Sequence, residues 1–138
     1  MTQLLNKAIN KAHALSIPEQ DILASIILDE IDSEKNWATS FAKSQDLLSS
    51  MAAEAITEHA AGKTKPLQRL LMESKTAEKF RALLSTTPQS IQLKAKACYR
   101  LWFQNPDHPS LRFKKVHQTL PIYSVRINLN WRSVGAIQ

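Results

Sequence analysis

The sequence predicts an α+β protein in which an all-helical N-terminal half is followed by a helical hairpin packed on a small antiparallel sheet. Three observations carry that reading. Apolar residues recur every three or four positions from Leu4 to Ile56, and the same spacing returns in two shorter stretches that end at Trp102. Beyond the proline-rich turn QNPDHPS the apolar period falls to two.

Taken in order, Leu4, Leu5, Ala8, Ile9 and Ala12 place one amphipathic helix over 2–15. In SIPEQ, Ser16 reads as the N-cap of a second helix, with Pro18 in its first turn and Glu19 completing a capping box. Ile22, Leu23, Ile26, Ile27 and Ile31 give that helix a broad apolar face. Asp29, Glu30, Asp32 and Glu34 gather near its expected end, where acids oppose the helix dipole. Trp37 and Phe41, then Leu47, Leu48, Met51, Ala52, Ala55 and Ile56, continue the helical spacing to Gly62, a natural residue for the position after a helix. GKTKPLQRLLMES reads as a joint, with Met72 as a candidate domain start. Thr76 is expected to cap a short helix bearing Phe80, Leu83 and Leu84. Thr87, with Pro88 at the first helical position, is expected to cap another, whose stripe is Ile91, Ala95, Cys98 and Trp102. Three strands are expected over LRFKKVH, IYSVRINL and WRSVGAI, forming an antiparallel meander.

The 138 residues, 43% hydrophobic and 22% charged with only 2 glycines, suit a folded chain of one ordinary domain or two small ones. Charge is unevenly spread. Residues 1–71 carry 7 Lys/Arg against 9 Asp/Glu, net −2, and residues 72–138 carry 11 against 3, net +8. A basic half of this kind suits nucleic acid, and the acidic half suits a built-in cover for it. The lone Cys98 excludes an internal disulfide and a cysteine metal cluster, so a reducing cytoplasm is the expected location. The longest apolar run, ILASIIL, falls far short of the roughly 20 residues of a membrane helix. Lys7 and Lys11 interrupt the start where an export signal needs an apolar stretch. A soluble, unexported protein with no membrane partner is expected.

AAGKT at 60–64 has the end of a phosphate-binding loop, but Thr57 stands where that pattern needs glycine and a helix stands where it needs a strand, so a helix end and linker is the better reading. His13, His59, His108 and His117 show no metal-ligand spacing and read as surface or cap residues; no metal and no cofactor is expected. His108 and His117 flank the basic first strand, which leaves proton transfer as a further role for them. The basic set is more specific. Arg112 and Lys114 alternate on one expected strand, with Lys115 beside them, Arg126 lies on the next and Arg132 on the third, so their charges can converge on one face. An RNA phosphate backbone is the commonest anion for such a face; solvated charges or pairing with the acidic half are the alternatives. Trp102, Phe113 and Trp131 read as core, although they, Phe103 and Tyr123 are also residues on which bases stack.

The strings HPSLRFK, YSVRI and WR, in that order behind a helical hairpin, resemble the small toxins of the RelE/ParE superfamily over residues 73–137. The first half, with IPEQDILASIILDEI, then Trp37 and Phe41, then GKTKPL, is similar to the small acidic antitoxins that accompany such toxins. The resemblance implies an antitoxin-like region at 1–65, a linker at 66–72 and a toxin-like domain at 73–138, in one chain. It also implies what the toxin half does. RelE-type members bind the ribosomal A site and cut mRNA, using basic side chains to position and polarise phosphate for attack by the ribose 2′-hydroxyl, and ParE-type members poison DNA gyrase. On the matching positions, Arg126 and Arg132 are the implied catalytic residues, and Arg112, Lys114 and Lys115 the implied RNA or phosphate contacts. Trp37, Phe41, Leu47 and Leu48 are the implied contacts between antitoxin and toxin.

In the superfamily a further strand, reading like WFWIGSHxxYDxL, follows WR. Here the sequence stops at Gln138, so the expectation is a sheet with its last strand missing, an open edge at Trp131–Ile137 and weakened or lost cleavage. RNA or the ribosome, a toxin or antitoxin partner, and self-association through that edge are the expected partners. The leading expectation is a fused toxin–antitoxin protein; the alternatives are a catalytically inactive partner-binding regulator and a gyrase-inhibitor-type toxin.

Overall fold

The computed structural model describes residues 1–66 and 75–137. The chain divides into two compact units, Met1–Trp37 and Ala38–Gln138. The expected linker at 66–72, including Met72, lies outside the described residues except for Pro66. On either side of it a two-residue antiparallel ladder joins β1 (Lys65–Pro66) to β2 (Lys75–Thr76).

In the first unit, α1 (Gln3–Ala12) starts on Thr2, whose hydroxyl accepts the Leu5 N–H at 3.1 Å. The second helix, α2 (Ile17–Lys43), begins at the expected place but with a different cap. The Glu19 carboxylate accepts both the Ser16 hydroxyl, at 2.7 Å, and the Ser16 N–H, at 3.0 Å, so the hydroxyl donates to the acid instead of accepting a backbone N–H. The helix also runs nine residues past Glu34. Asp29, Glu30, Asp32 and Glu34 therefore sit in its interior, and the dipole conflict expected from a helix ending there does not arise. Instead the break falls at Ser44, and the last turn carries Lys43, the favourable sign.

In the second unit, α3 (Gln45–Ala60) ends in a Schellman motif. Gly62 takes φ +71, its N–H reaches the His59 carbonyl, and the Lys63 N–H reaches Glu58. Next, α4 (Glu78–Thr86) and α5 (Gln89–Gln104) form the pair of helices expected, with two corrections at their starts. Thr76 lies in β2, where its hydroxyl donates to the Lys65 carbonyl, and the first N–H of α4 is met by the Glu58 carboxylate from α3 at 2.8 Å. Pro88 is the cap of α5, one residue later than the expected Thr87. The Thr87 hydroxyl turns back to the Leu84 carbonyl instead of capping forward.

The three-stranded sheet is an antiparallel meander in the order β3 (Lys114–Lys115), β4 (Ile122–Arg126), β5 (Arg132–Ala136). This is the α+β architecture predicted, with a shorter first strand. Leu111 ends a 3-10 turn, Pro109–Leu111, and Arg112 follows with φ 47, so neither belongs to β3. Among the described residues the fully buried aliphatic side chains are Leu111 and Ile122. An aromatic series ties helix to sheet: Trp102 meets Phe113 edge-on at 5.7 Å, and Phe113 stacks on Tyr123 at 5.1 Å. Trp131, expected in the core, is instead 39% exposed at the turn into β5. Asn128 organises that turn, its carboxamide oxygen accepting the N–H groups of Asn130 and Trp131.

Gly62→Ala is expected to cost about 1 kcal/mol, because only the left-handed backbone is at issue and a Cβ there meets open space; chemical denaturation checks it. The hydroxyl of Ser16, and then its N–H, hold the Glu19 carboxyl below its ordinary value. A lowered folded-state value contributes stability above the usual carboxylate range and loses it as pH falls through the Glu19 titration. Acidification is therefore expected to fray Ser16–Gln20 in NMR spectra, and Glu19→Gln to remove that pH dependence.

Candidate functional site

Register decides which basic side chains share a face. Arg126 lies directly opposite Arg132, and Lys114 opposite Ser124, which is two residues from Arg126. Paired residues in an antiparallel ladder project to the same side, and so do residues two apart. Lys114, Ser124, Arg126 and Arg132 thus stand on one face, and Lys115, paired with Tyr123, stands on the other. Arg112 is exposed at the end of the 3-10 turn and not on the strand, so its place in an alternating row is lost. The two arginines are half-buried and Lys114 is exposed. Arg126 also lies within electrostatic reach of Cys98 on α5: burial pushes that thiol up, and the charges of Lys94 and Arg126 oppose the rise.

Ser124 is a residue the sequence reading passed over. It is 0% exposed in the middle of this face, and its hydroxyl has no hydrogen-bond partner among the described residues. A buried unpaired hydroxyl costs about 1–3 kcal/mol. Nothing in the strand pattern marks it, since a small polar residue between Tyr123 and Val125 reads as the solvent side.

The loop from β3 to β4 is held by the helical segment. The Gln45 carboxamide donates to the Val116 carbonyl and to the Phe41 carbonyl, both at 2.8 Å, and accepts the Gln118 N–H at 2.9 Å. One turn on, the Ser49 hydroxyl donates to the Gln45 carbonyl and meets His117 Nε2 at 2.7 Å. His117 Nδ1 faces the N–H groups of Thr119 and Leu120, so it is the acceptor and the ring proton sits on Nε2, donated to Ser49. His117 is a structural bridge in this arrangement. His108 likewise spends its Nδ1 on the N–H and hydroxyl of Ser110. Phe41 and Leu48 are buried in this unit, Leu47 is 57% exposed, and Trp37 is half-buried in the first unit. A groove of about 350 Å³ runs along the contact, lined by Ala38, Phe41, Gln45, Lys114, Lys115 and His117 among others. Gln45 and Ser49 were not legible as site residues, because both read as the polar side of a helix.

Residues 89–135, from α5 to β5, match the ParE-like toxin domain family. The match supports a toxin region of the ParE/RelE type over that stretch. The arginine pair and the strand meander up to Gly135 lie inside it. No curated protein and no solved structure matches the chain. Among the described residues no helix is long and apolar enough to cross a membrane.

Gln45→Ala removes three hydrogen bonds, two of them part-buried and the one from Gln118 exposed, at up to about 1 kcal/mol each, and is expected to lower stability by about 2 kcal/mol. Gln118 should then lose its amide-exchange protection before residues of α5 do.

Proposed function

We propose that the chain is a toxin–antitoxin protein in which a toxin-like domain, 73–138, is covered by an antitoxin-like helical region, 1–65, joined to it through 66–72. The register of Arg126 against Arg132 is the observation that carries the reading, with the ParE-like match around it. The Gln45 clamp on the β3–β4 loop supports the covering role, with Phe41 and Leu48 as its apolar part.

The chemistry proposed is that of a ribosome-dependent mRNA endonuclease. A ribose 2′-hydroxyl attacks the adjacent phosphorus, the bond to the 5′ oxygen breaks, and a 2′,3′-cyclic phosphate and a 5′-hydroxyl remain. Negative charge grows on the non-bridging oxygens in the transition state. Arg126 and Arg132, paired on one face of the sheet, carry the guanidinium donors proposed to meet that charge, which is where planar guanidinium groups contribute most. Lys114, Lys115 and Arg112 contribute charge along the RNA backbone, a term that weakens with salt.

A catalytically inactive regulator that binds a toxin or antitoxin partner is the second reading. It is favoured by the outer strand of the sheet, where Gly135, Ala136 and Ile137 are exposed at one end and Trp131 at the other. A gyrase-inhibitor-type toxin is separated from both by its target.

The test is induction in bacteria of the whole chain and of a Phe41→Asp, Gln45→Ala variant whose fold is verified by circular dichroism. The variant is expected to arrest growth and leave cut mRNA in polysomes, while the unaltered chain does not. Adding Arg126→Ala or Arg132→Ala should restore growth and reduce cleavage by about a hundredfold. Arrest with cleaved chromosomal DNA and intact mRNA points to gyrase. A folded variant that permits normal growth sinks the active-toxin reading and leaves the regulator.

A further inference from the structure

We propose that the first unit, Met1–Trp37, is the pairing surface for a second copy of this chain, two such helical pairs assembling into a four-helix bundle. This unit has no buried residue of its own: none is buried in α1, and the single buried residue of α2, Phe41, belongs to the second unit. Ten of its aliphatic side chains are between 37% and 78% exposed. Without Ile17 and Leu28, which lie off the apolar arc of α2, the other eight leave roughly 700 Å² of surface open, near the approximately 800 Å² that a standard interface takes from each partner.

The shape of the exposed area points to more than one additional neighbour. At about 100° per residue, Ile22, Ile26, Leu23, Ile27 and Ile31 span an arc of roughly 180° on α2. The half-buried residues Leu23, Glu30, Glu34 and Trp37 fall in the middle of that arc, and Gln20 and Ser33, one on each shoulder, are also half-buried. Ile22 and Ile26 on one shoulder, and Ile27 and Ile31 on the other, are exposed. A single packed helix covers a stripe of about 100°, so one neighbour leaves both shoulders bare and a bundle covers them.

Charge selects a second copy as the occupant. Residues 1–16 carry Lys7 and Lys11 and no acid, while residues 17–37 carry six acids and only Lys35. In a two-fold assembly each copy's first helix lies against the other's second helix, so basic meets acidic twice. The unit as a whole is net −3, which disfavours nucleic acid as the occupant.

Sedimentation equilibrium of the full chain over a wide concentration range tests this. A reversible monomer–dimer equilibrium is expected. Ile22→Gln with Ile26→Gln should raise the dissociation constant at least tenfold with helicity kept. Lys7→Glu with Lys11→Glu leaves every apolar side chain in place and should also weaken the dimer, with a smaller dependence on salt; it decides the matter if the isoleucine variant unfolds. A monomer at every concentration overturns the proposal. So does a dimer that ignores both variants and dissociates on Val134→Lys in β5, which would place the contact on the sheet edge.

Discussion

A backbone carbonyl or N–H that leaves water must find a partner, and for the part-buried Val116 carbonyl of the β3–β4 loop one side chain from a distant helix meets that requirement. The first strand of the sheet is only two residues long, too short for its ladder to hold the loop that follows. The Val116 N–H pairs with Ile122, but the Val116 carbonyl and the Gln118 N–H turn outward from the sheet. Gln45 takes both, one with each end of its carboxamide, and Ser49 with His117 repeats the arrangement a turn later. An amide offers a donor and an acceptor about as far apart as a strand does, so Gln45 acts as a one-residue extension of the sheet. This requires the break at Ser44, which starts α3 on Gln45 and aims it at the loop.

From there the rest of the second unit falls into place. With the loop held, Lys114 and Lys115 are in register with Ser124 and Tyr123, and β4 fixes β5 through five paired residues. The aromatic contacts from Trp102 to Phe113 to Tyr123 lock α5 to the sheet. Arg126 and Arg132 then face the same side because the hairpin between them keeps its pairing to the end, with Asn128 holding the turn. On the proposed reading, phosphate recognition therefore depends on hydrogen bonds that no arginine makes.

The helices and the number of strands were readable from periodicity, since burial of one face repeats at the period of the element. The parity of Lys114, Arg126 and Arg132 was readable too, because alternation survives even where strand ends are misplaced. What escaped was everything set by contacts distant in sequence. Acids from 29 to 34 looked like a helix end because the spacing of Trp37 and Phe41 fits a new helix as well as a continuation of the same one. Thr76 and Thr87 looked like caps, but a carboxylate from α3 and the carbonyl of Leu84 compete for the same groups. Arg112 looked like a strand residue until the 3-10 turn of Pro109–Leu111 forced it to φ 47. Trp131 looked buried because its neighbour alternates correctly, yet it lies where the turn leaves no layer above it.

The order of the Gln45 contact along the chain bears on how the protein comes into being. Gln45 precedes Val116 by 71 residues. At about 5–20 residues per second of synthesis, the helix exists for roughly 4–14 s before its loop emerges. The loop is consequently never present without its helix, and the two are made in a fixed one-to-one ratio. Cellular dilution leaves their encounter unchanged, because tethering sets the local concentration of one for the other. Dilution does not release the loop; cutting the chain does, or an agent that competes for the Val116 carbonyl and the Gln118 N–H.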